Sequence, residues 1–260
     1  VDFSWISKTG TRAGDLPGVT AMKTIGLIGG LSWVSTIDYY RILNQEMNAR
    51  LGGHHSARII MYSVEQADII SPTIQENWDN IERIVISAAR TLEQAGADFI
   101  MICSNTIHKV ADAVRSHIQT PILHIAEVTG QKIKTEGFSK VALLGSKSTM
   151  EDDFYKAILT KKYGLEIFIP TIEERETIDS IIFDELIDFR VYPSSKKKYI
   201  AIINRLIDEG AEGIILGCTE ISILVKSEDC RAPIFDTTTI HALAAVEYAI
   251  GDAVDQSTKL

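Results

Sequence analysis

Cysteine is scarce in this chain of 260 residues: only Cys103, Cys218 and Cys230 occur. The set is odd in number and lacks the close spacing of zinc ligands, so it forms neither a disulfide framework nor a zinc signature. Free thiols in a reducing compartment are the simple reading, and a cytoplasmic location is expected. Long apolar runs are lacking too, none approaching the roughly 20 residues that span a bilayer. There is also no charged-then-apolar leader with a small-residue cleavage site. No membrane partner is therefore expected. Positive charge is in the minority, 26 Lys+Arg against 35 Asp+Glu, for a net charge of −9. Without a basic stripe, nucleic acid is not an expected partner, and Lys196-Lys197-Lys198 reads as an exposed helix start. A small anionic ligand stays compatible, because helix N-termini and backbone N–H groups make locally positive sites in an acidic protein. Missing as well are the phosphate-binding Gly-x-x-x-x-Gly-Lys-Ser/Thr loop and the Gly-x-Gly-x-x-Gly dinucleotide fingerprint, which Gly26-Leu27-Ile28-Gly29-Gly30 does not match.

What is present is an alternation of apolar strands with amphipathic helices. Strands are expected at Ile25–Ile28, Arg58–Ser63, Phe99–Cys103, Val141–Leu144 and Gly213–Leu216. Helices are expected after Ser35 (with Ile37, Tyr40, Leu43, Met47 and Leu51 at helical spacing), over Asn77–Gln94, around His108–His117, near Met150–Lys162, Glu173–Phe189 and Ser194–Glu209, and over Thr238–Ala249. Such alternation makes an α/β protein with parallel sheets covered on both faces. Ligands of such sheets bind beyond the C-terminal strand ends. Residues 1–21, punctuated by Gly10, Gly14, Pro17 and Gly18, sustain no hydrophobic period and read as a leader or an artificial extension before Met22.

The chain also resembles itself. Gly96-Ala97-Asp98 leads through an apolar strand to Cys103-Ser104-Asn105-Thr106-Ile107. Gly210-Ala211-Glu212 leads in the same way to Gly217-Cys218-Thr219-Glu220-Ile221, which places Ser104 opposite Cys218. A second echo pairs Thr24–Gly29 with Lys140–Gly145, each followed by Ser-Thr and an aromatic pair. Two copies of one unit predict two similar three-layer α/β domains related by a pseudo-two-fold axis, with the active site in the cleft between them. The first domain is expected over 22–119 plus 236–254, and the second over 120–235.

Ile25-Gly26-Leu27-Ile28-Gly29-Gly30-Leu31-Ser32-Trp33, Ser104-Asn105-Thr106-Ile107-His108 and Gly217-Cys218-Thr219-Glu220 together resemble the aspartate/glutamate racemase family, over nearly all of Met22–Ala253. The branch active on L-aspartate and L-glutamate is the most similar. The resemblance implies interconversion of the enantiomers of an acidic amino acid without pyridoxal phosphate or any other cofactor or metal, and a homodimer. It implies two opposed catalytic residues, here Cys218 and Ser104. Asn105, Thr106 and Thr219 would hold the substrate, with Leu31, Ser32, Ser63 and Thr149 from neighbouring loops. His108 and Glu220 would stand behind the two reacting groups and tune them or relay protons. The departure is Ser104, where the family usually has cysteine and the similar branch has threonine.

The chemistry gives that departure a consequence. Inverting an α-carbon requires a base on one face and an acid on the other. A cysteine, at about pKa 8.5 when free, suits both roles once a helix N-terminus or a cation lowers it, and such help is expected at Cys218. A serine hydroxyl donates a proton to a carbanion more readily than it removes one from carbon, so an asymmetric racemase is expected. Arg58 and Lys109 are the candidate cations. Cys103, one residue before Ser104 in a strand, should point away from the cleft. Two other readings stay open. One is a decarboxylase or cis–trans isomerase of the same superfamily using one thiol. The other is a non-catalytic protein that binds an acidic amino acid.

Overall fold

The computed structural model describes residues 22–257, so the expected leader at 1–21 lies outside the described residues. The apolar segments at 25–29, 99–102, 141–145 and 213–217 fold as strands buried on both faces, as central parallel strands under helices must be. In the first half, β1 (Ile25–Gly29) is followed by α1 (Trp33–Leu51), β2 (Ile59–Ser63), α2 (Ala67–Ile74), α3 (Trp78–Gln94) and β3 (Phe99–Ile102). A 3₁₀ turn over Thr106–Val110 leads into α4 (Ala111–Arg115), and then α5 (Ile125–Thr135). The second half runs β4 (Lys140–Gly145), α6 (Lys147–Glu151), α7 (Asp153–Ala157), β5 (Glu166–Phe168), α8 (Ile172–Asp184), α9 (Pro193–Asp208), β6 (Gly213–Gly217), α10 (Ile221–Leu224), β7 (Ile234–Asp236) and α11 (Thr237–Ser257).

All pairings are parallel. The first sheet has the order β2-β1-β3, extended by a parallel bridge from Ile100 to Ile122, and the second has the order β5-β4-β6-β7. The two sheets therefore repeat one order. β1 corresponds to β4 and β3 to β6, the pairs the internal repeat aligns, and the fold is two similar α/β halves. Each sheet is sandwiched. Ile28, Ile100 and Ile102 pack against Ile81, Val85, Ala88 and Leu92 of α3, while Leu27, Met101 and Cys103 pack against Tyr39, Leu43 and Met47 of α1 and Ala245 and Val246 of α11. In the second sheet, Leu144 and Leu216 face Ile178 of α8 and Ile203 of α9, and Leu143 and Ile215 face Ile125 and Ile133 of α5.

Local chemistry sets several boundaries. Asn77 caps α3 by accepting from Asn80 N–H, and Thr171 with Glu174 forms a reciprocal capping box on α8. Four expectations change. On α1 the buried face runs through Val34, Tyr39, Leu43 and Met47, while Ile37 and Tyr40 face outward at 56% and 53% exposure. Tyr39 is buried in the apolar cluster with Leu43 and Met47, and its hydroxyl bonds Nδ1 of the buried His241 at 2.9 Å. The expected helix at His108–His117 begins as a 3₁₀ turn, and the one at Met150–Lys162 is broken at Asp152, whose backbone is extended. The expected helix over Glu173–Phe189 stops at Asp184, and a 3₁₀ turn at Leu186–Asp188 ends in the left-handed backbone of Phe189. The helices α2 and α5 and the three-residue strands β5 and β7 are additions to the expected list. Among the described residues no helix is long and apolar enough to cross a membrane.

Candidate active site

The C-terminal ends of β1, β3 and β6 meet at one cleft of about 600 Å³, its open mouth included. Ser104, just past β3, and Cys218, just past β6, both line it, and both are partly exposed while the strands leading to them are buried. Leu31, Ser32, Asn105, Thr106, Thr219 and Glu220 line it with them. Strand alternation puts the side chain of Cys103 among Leu27, Tyr39 and Met101, and burial pushes its thiol pKa up.

Cys218 does not have the environment expected for it. Its thiol pKa is raised well above the ordinary value, first by burial and next by the negative charge of Glu220. The thiol donates to Glu220 Oε2 at 3.0 Å, and the Thr219 hydroxyl donates to the same oxygen at 2.6 Å. The helix that follows, α10, has only four residues, and no lysine or arginine is among the described residues lining the cleft. Resting Cys218 is thus a thiol paired with a carboxylate.

The hydroxyl of Ser104 lies 3.5 Å from the N–H of Ile107, and its carbonyl is gripped by His108. The His108 ring accepts the Ile125 N–H at Nε2 (3.2 Å), so the proton sits on Nδ1 and is donated to Ser104 O at 2.6 Å. Both ring nitrogens are committed to main-chain groups, and the ring acts on the backbone of Ser104 rather than its hydroxyl. Burial, with the neighbouring His124 and His241, depresses the His108 pKa well below that of a free imidazole. The three rings form one neutral cluster, with His124 pushed down to about 3 and His241 to about 4 by burial.

Two cleft atoms are buried without a partner: Ser32 Oγ and Asn105 Oδ1. The amide orientation of Asn105 follows from Thr237. The Thr237 hydroxyl donates to Leu216 O at 2.7 Å, so it accepts from Asn105 Nδ2 at 3.0 Å, and the oxygen of Asn105 is the end left free. A free carbonyl oxygen is an acceptor and matches a donor such as an ammonium group. Ser32 sits at the N-cap of the 19-residue α1 and makes no capping bond, so its hydroxyl is free to donate to an anion.

Thr106 joins the halves. Its hydroxyl meets Ser146 Oγ at 2.7 Å and Thr149 Oγ1 at 3.3 Å. Thr149 is fully buried and stands behind Ser146, which takes the place in the cleft wall expected for Thr149. Ser63 does not line the cleft: it ends the edge strand β2 and is exposed. Arg58 bonds Met22 O at the opposite end of that strand. Ser146, Gln66 and Thr73 are cleft residues that the sequence does not single out. A signal exists for Ser146 alone, which follows the glycine ending β4 as the Gly30 loop follows β1.

Residues 28–245 match the Asp/Glu/Hydantoin racemase family. The chain is similar in structure to a candidate Asp/Glu racemase from Yersinia pestis, with 45% identity and a TM-score of 0.83 over 88% of this chain and 100% of that one. It is similar to an aspartate racemase homologue from Pyrococcus horikoshii, with 35% identity and a TM-score of 0.76 over 88% and 99% of the two chains. The fold alone is shared with the aspartate racemase of Picrophilus torridus, at 21% identity and a TM-score of 0.70 over 87% and 94%. With a family match across most of its length and a 45% identical relative covered end to end, this chain belongs to the Asp/Glu/Hydantoin racemase family, a family of enzymes.

Proposed function

We propose that the protein interconverts the L and D forms of an acidic amino acid, aspartate or glutamate, by removing the α-proton at one of Cys218 and Ser104 and supplying another from the other, without a cofactor. The observation that carries this reading is the convergence of Ser104 and Cys218, 114 positions apart in the numbering, on one cleft. The two unpartnered atoms support it. Ser32 Oγ is placed to receive a carboxylate and Asn105 Oδ1 an ammonium group, which are the two charged ends of an α-amino acid. An unsatisfied buried polar atom costs about 1–3 kcal/mol, and a ligand that pairs both removes that cost.

In this reading Glu220 takes the thiol proton, and the resulting Cys218 thiolate removes the α-proton of one enantiomer. The surroundings that make the thiolate scarce also make it strongly basic, which suits a weakly acidic C–H bond. A substrate ammonium near Glu220 and Cys218 adds positive charge and favours the thiolate on binding. Ser104 supplies the proton on the opposite face, and the proton left on Glu220 returns through solvent to the Ser104 oxygen, which restores the resting site. With no basic side chain bonded to its hydroxyl, it is the weaker member of the pair, so the enzyme is asymmetric in kcat and KM. Its kcat/KM is equal for the two enantiomers, whose equilibrium constant is one.

The test is incubation with each enantiomer of aspartate and glutamate in deuterated water, following α-deuterium by NMR and configuration by chiral chromatography. Inversion with deuterium uptake, abolished by Cys218→Ala, is expected. Exchange without inversion would make the protein a single-thiol enzyme. Binding without exchange would make it an amino-acid binding protein.

A homodimer in a reducing, cytoplasmic compartment belongs to the same reading. Trp33, Ile37 and Tyr40 form an outward stripe on α1 at positions i, i+4 and i+7, each more than half exposed. Light scattering is expected to give twice the chain mass, and Ile37→Glu to give a monomer.

A further inference from the structure

An acidic amino acid carries a second carboxylate, and the cleft wall offers it no cation among the described residues. A second hollow opens beside the cleft and shares Thr73, Thr106, Ser146 and Phe183 with it. Two lysines face that hollow, Lys109 and Lys147. They are not equivalent. Thr106 and Lys109 are three residues apart in the 3₁₀ turn Thr106–Val110, and in a 3₁₀ turn side chains at i and i+3 eclipse. Lys109 therefore stands directly over Thr106, whose hydroxyl is part of the cleft wall. Its ammonium is fixed in place, 2.8 Å from Asp152 Oδ2 and 4.1 Å from the centre of the Trp78 ring, with 31% of the side chain exposed. Asp152 is itself held by the Ser148 hydroxyl. Lys147 is exposed at the start of α6, where its main-chain N–H is spent on Asp179.

The other ionised groups of the hollow are acidic: Glu76, Glu151, Asp152, Glu176, Asp179 and Asp184. Such a rim repels the side-chain carboxylate of an acidic substrate unless one cation is aimed at it. An ammonium has three hydrogens to donate, and Asp152 takes one. Resting on the racemase reading above, we infer that Lys109 is the specificity-determining residue of this site. It keeps its bond to Asp152 and donates a further hydrogen to the side-chain carboxylate of an acidic substrate whose α-carbon lies between Ser104 and Cys218. Thr106 and Ser146 form the floor between the two positions.

The experiment compares L-aspartate with L-asparagine, and L-glutamate with L-glutamine, in the wild-type protein and in Lys109→Gln and Lys109→Arg. Deuterium exchange gives kcat and KM, and calorimetry gives Kd. The acid-to-amide ratio of kcat/KM is expected to fall about 10- to 100-fold in Lys109→Gln, mainly through KM, as for a lost charge-assisted hydrogen bond. Lys109→Arg is expected to recover most of the ratio. An unchanged ratio in Lys109→Gln, or a wild type that prefers the amides, would overturn the inference. If the wild type binds aspartate but exchanges no α-proton, the racemase reading fails while the Kd ratio still decides the role of Lys109. If it binds none of the four, both fail.

Discussion

The thiol of Cys218 donates to the carboxylate of Glu220 across 3.0 Å, on the wall of a cleft whose described lining holds no cation. Two effects of Glu220 therefore oppose each other. Its charge holds the thiol pKa up, and its oxygen is the nearest place for the thiol proton to go. Glu220→Gln separates them. Without the charge the thiol titrates lower, so alkylation of Cys218 by iodoacetamide at neutral pH is expected to speed up. Racemisation is expected to slow by roughly 10²–10⁴-fold, the usual cost of losing a positioned acid–base group. Parallel changes in alkylation and turnover would exclude Glu220 as the proton acceptor.

The raised thiol pKa also fixes the pH profile. Below that pKa the resting pair keeps its one proton, and passing it from Cys218 to Glu220 leaves the proton count unchanged, so kcat/KM is expected to stay flat from about pH 7 to 9. The profile must be the same for both enantiomers, because the reaction's equilibrium constant is one. A tenfold rise per pH unit over that range would show that the thiol loses its proton to solvent and not to Glu220.

Ser104→Cys replaces the weak member of the pair with a thiol. Turnover is expected to increase by up to about 10²-fold, and the kcat values of the two directions should converge. Ser104→Ala is expected to retain deuterium exchange from the enantiomer that presents its proton to Cys218 and to lose inversion. Chiral chromatography beside NMR distinguishes these outcomes.

The neutral histidine cluster couples stability to pH. His108, His124 and His241 all have folded pKa values below the unfolded value of about 6.5. As pH falls below that value the unfolded chain binds protons that the folded chain refuses, so stability present above about pH 6.5 is lost towards the folded values, about 4 for His241 and about 3 for His124. Each imidazole contributes at most about 1.4 kcal/mol per pH unit in that window. Urea midpoints at pH 8, 6 and 5 should decline, and His241→Phe should flatten the slope while costing the bonds to Tyr39 and Leu123.

Gly30 sets the loop that carries Leu31 and Ser32. Its φ is +76°, and a Cβ there would lie 2.1 Å from Val64 O. Gly30→Ala combines a left-handed backbone with a main-chain clash, so a loss of more than about 2 kcal/mol is expected in thermal or urea unfolding.

How much of this was legible without coordinates follows the range of the forces involved. Hydrophobic period and the glycine-ended strands are local, and from them alone come the α/β class, the main strands and the repeat that pairs β1 with β4 and β3 with β6. The family landmarks, read from the same chain, single out Ser104 and Cys218, which line one cleft in the fold. The segments that escaped notice, α2, α5, β5 and β7, are short or lack a full apolar period, and tertiary contacts define them. The face of α1 that is buried is set by its packing on Leu27, Met101, Ala245 and Val246, and Tyr39 on that face bonds His241, 202 positions away. The amide orientation of Asn105 is set by Thr237, 132 positions away. The edge position of β2 carries Ser63 out of the cleft, and only the packed strand ends bring Ser146 into it. Cys218 is the clearest case. Residue spacing places its thiol at a strand end, but desolvation and the orientation of the Glu220 carboxylate decide its proton affinity, and both exist only once the chain has folded around it.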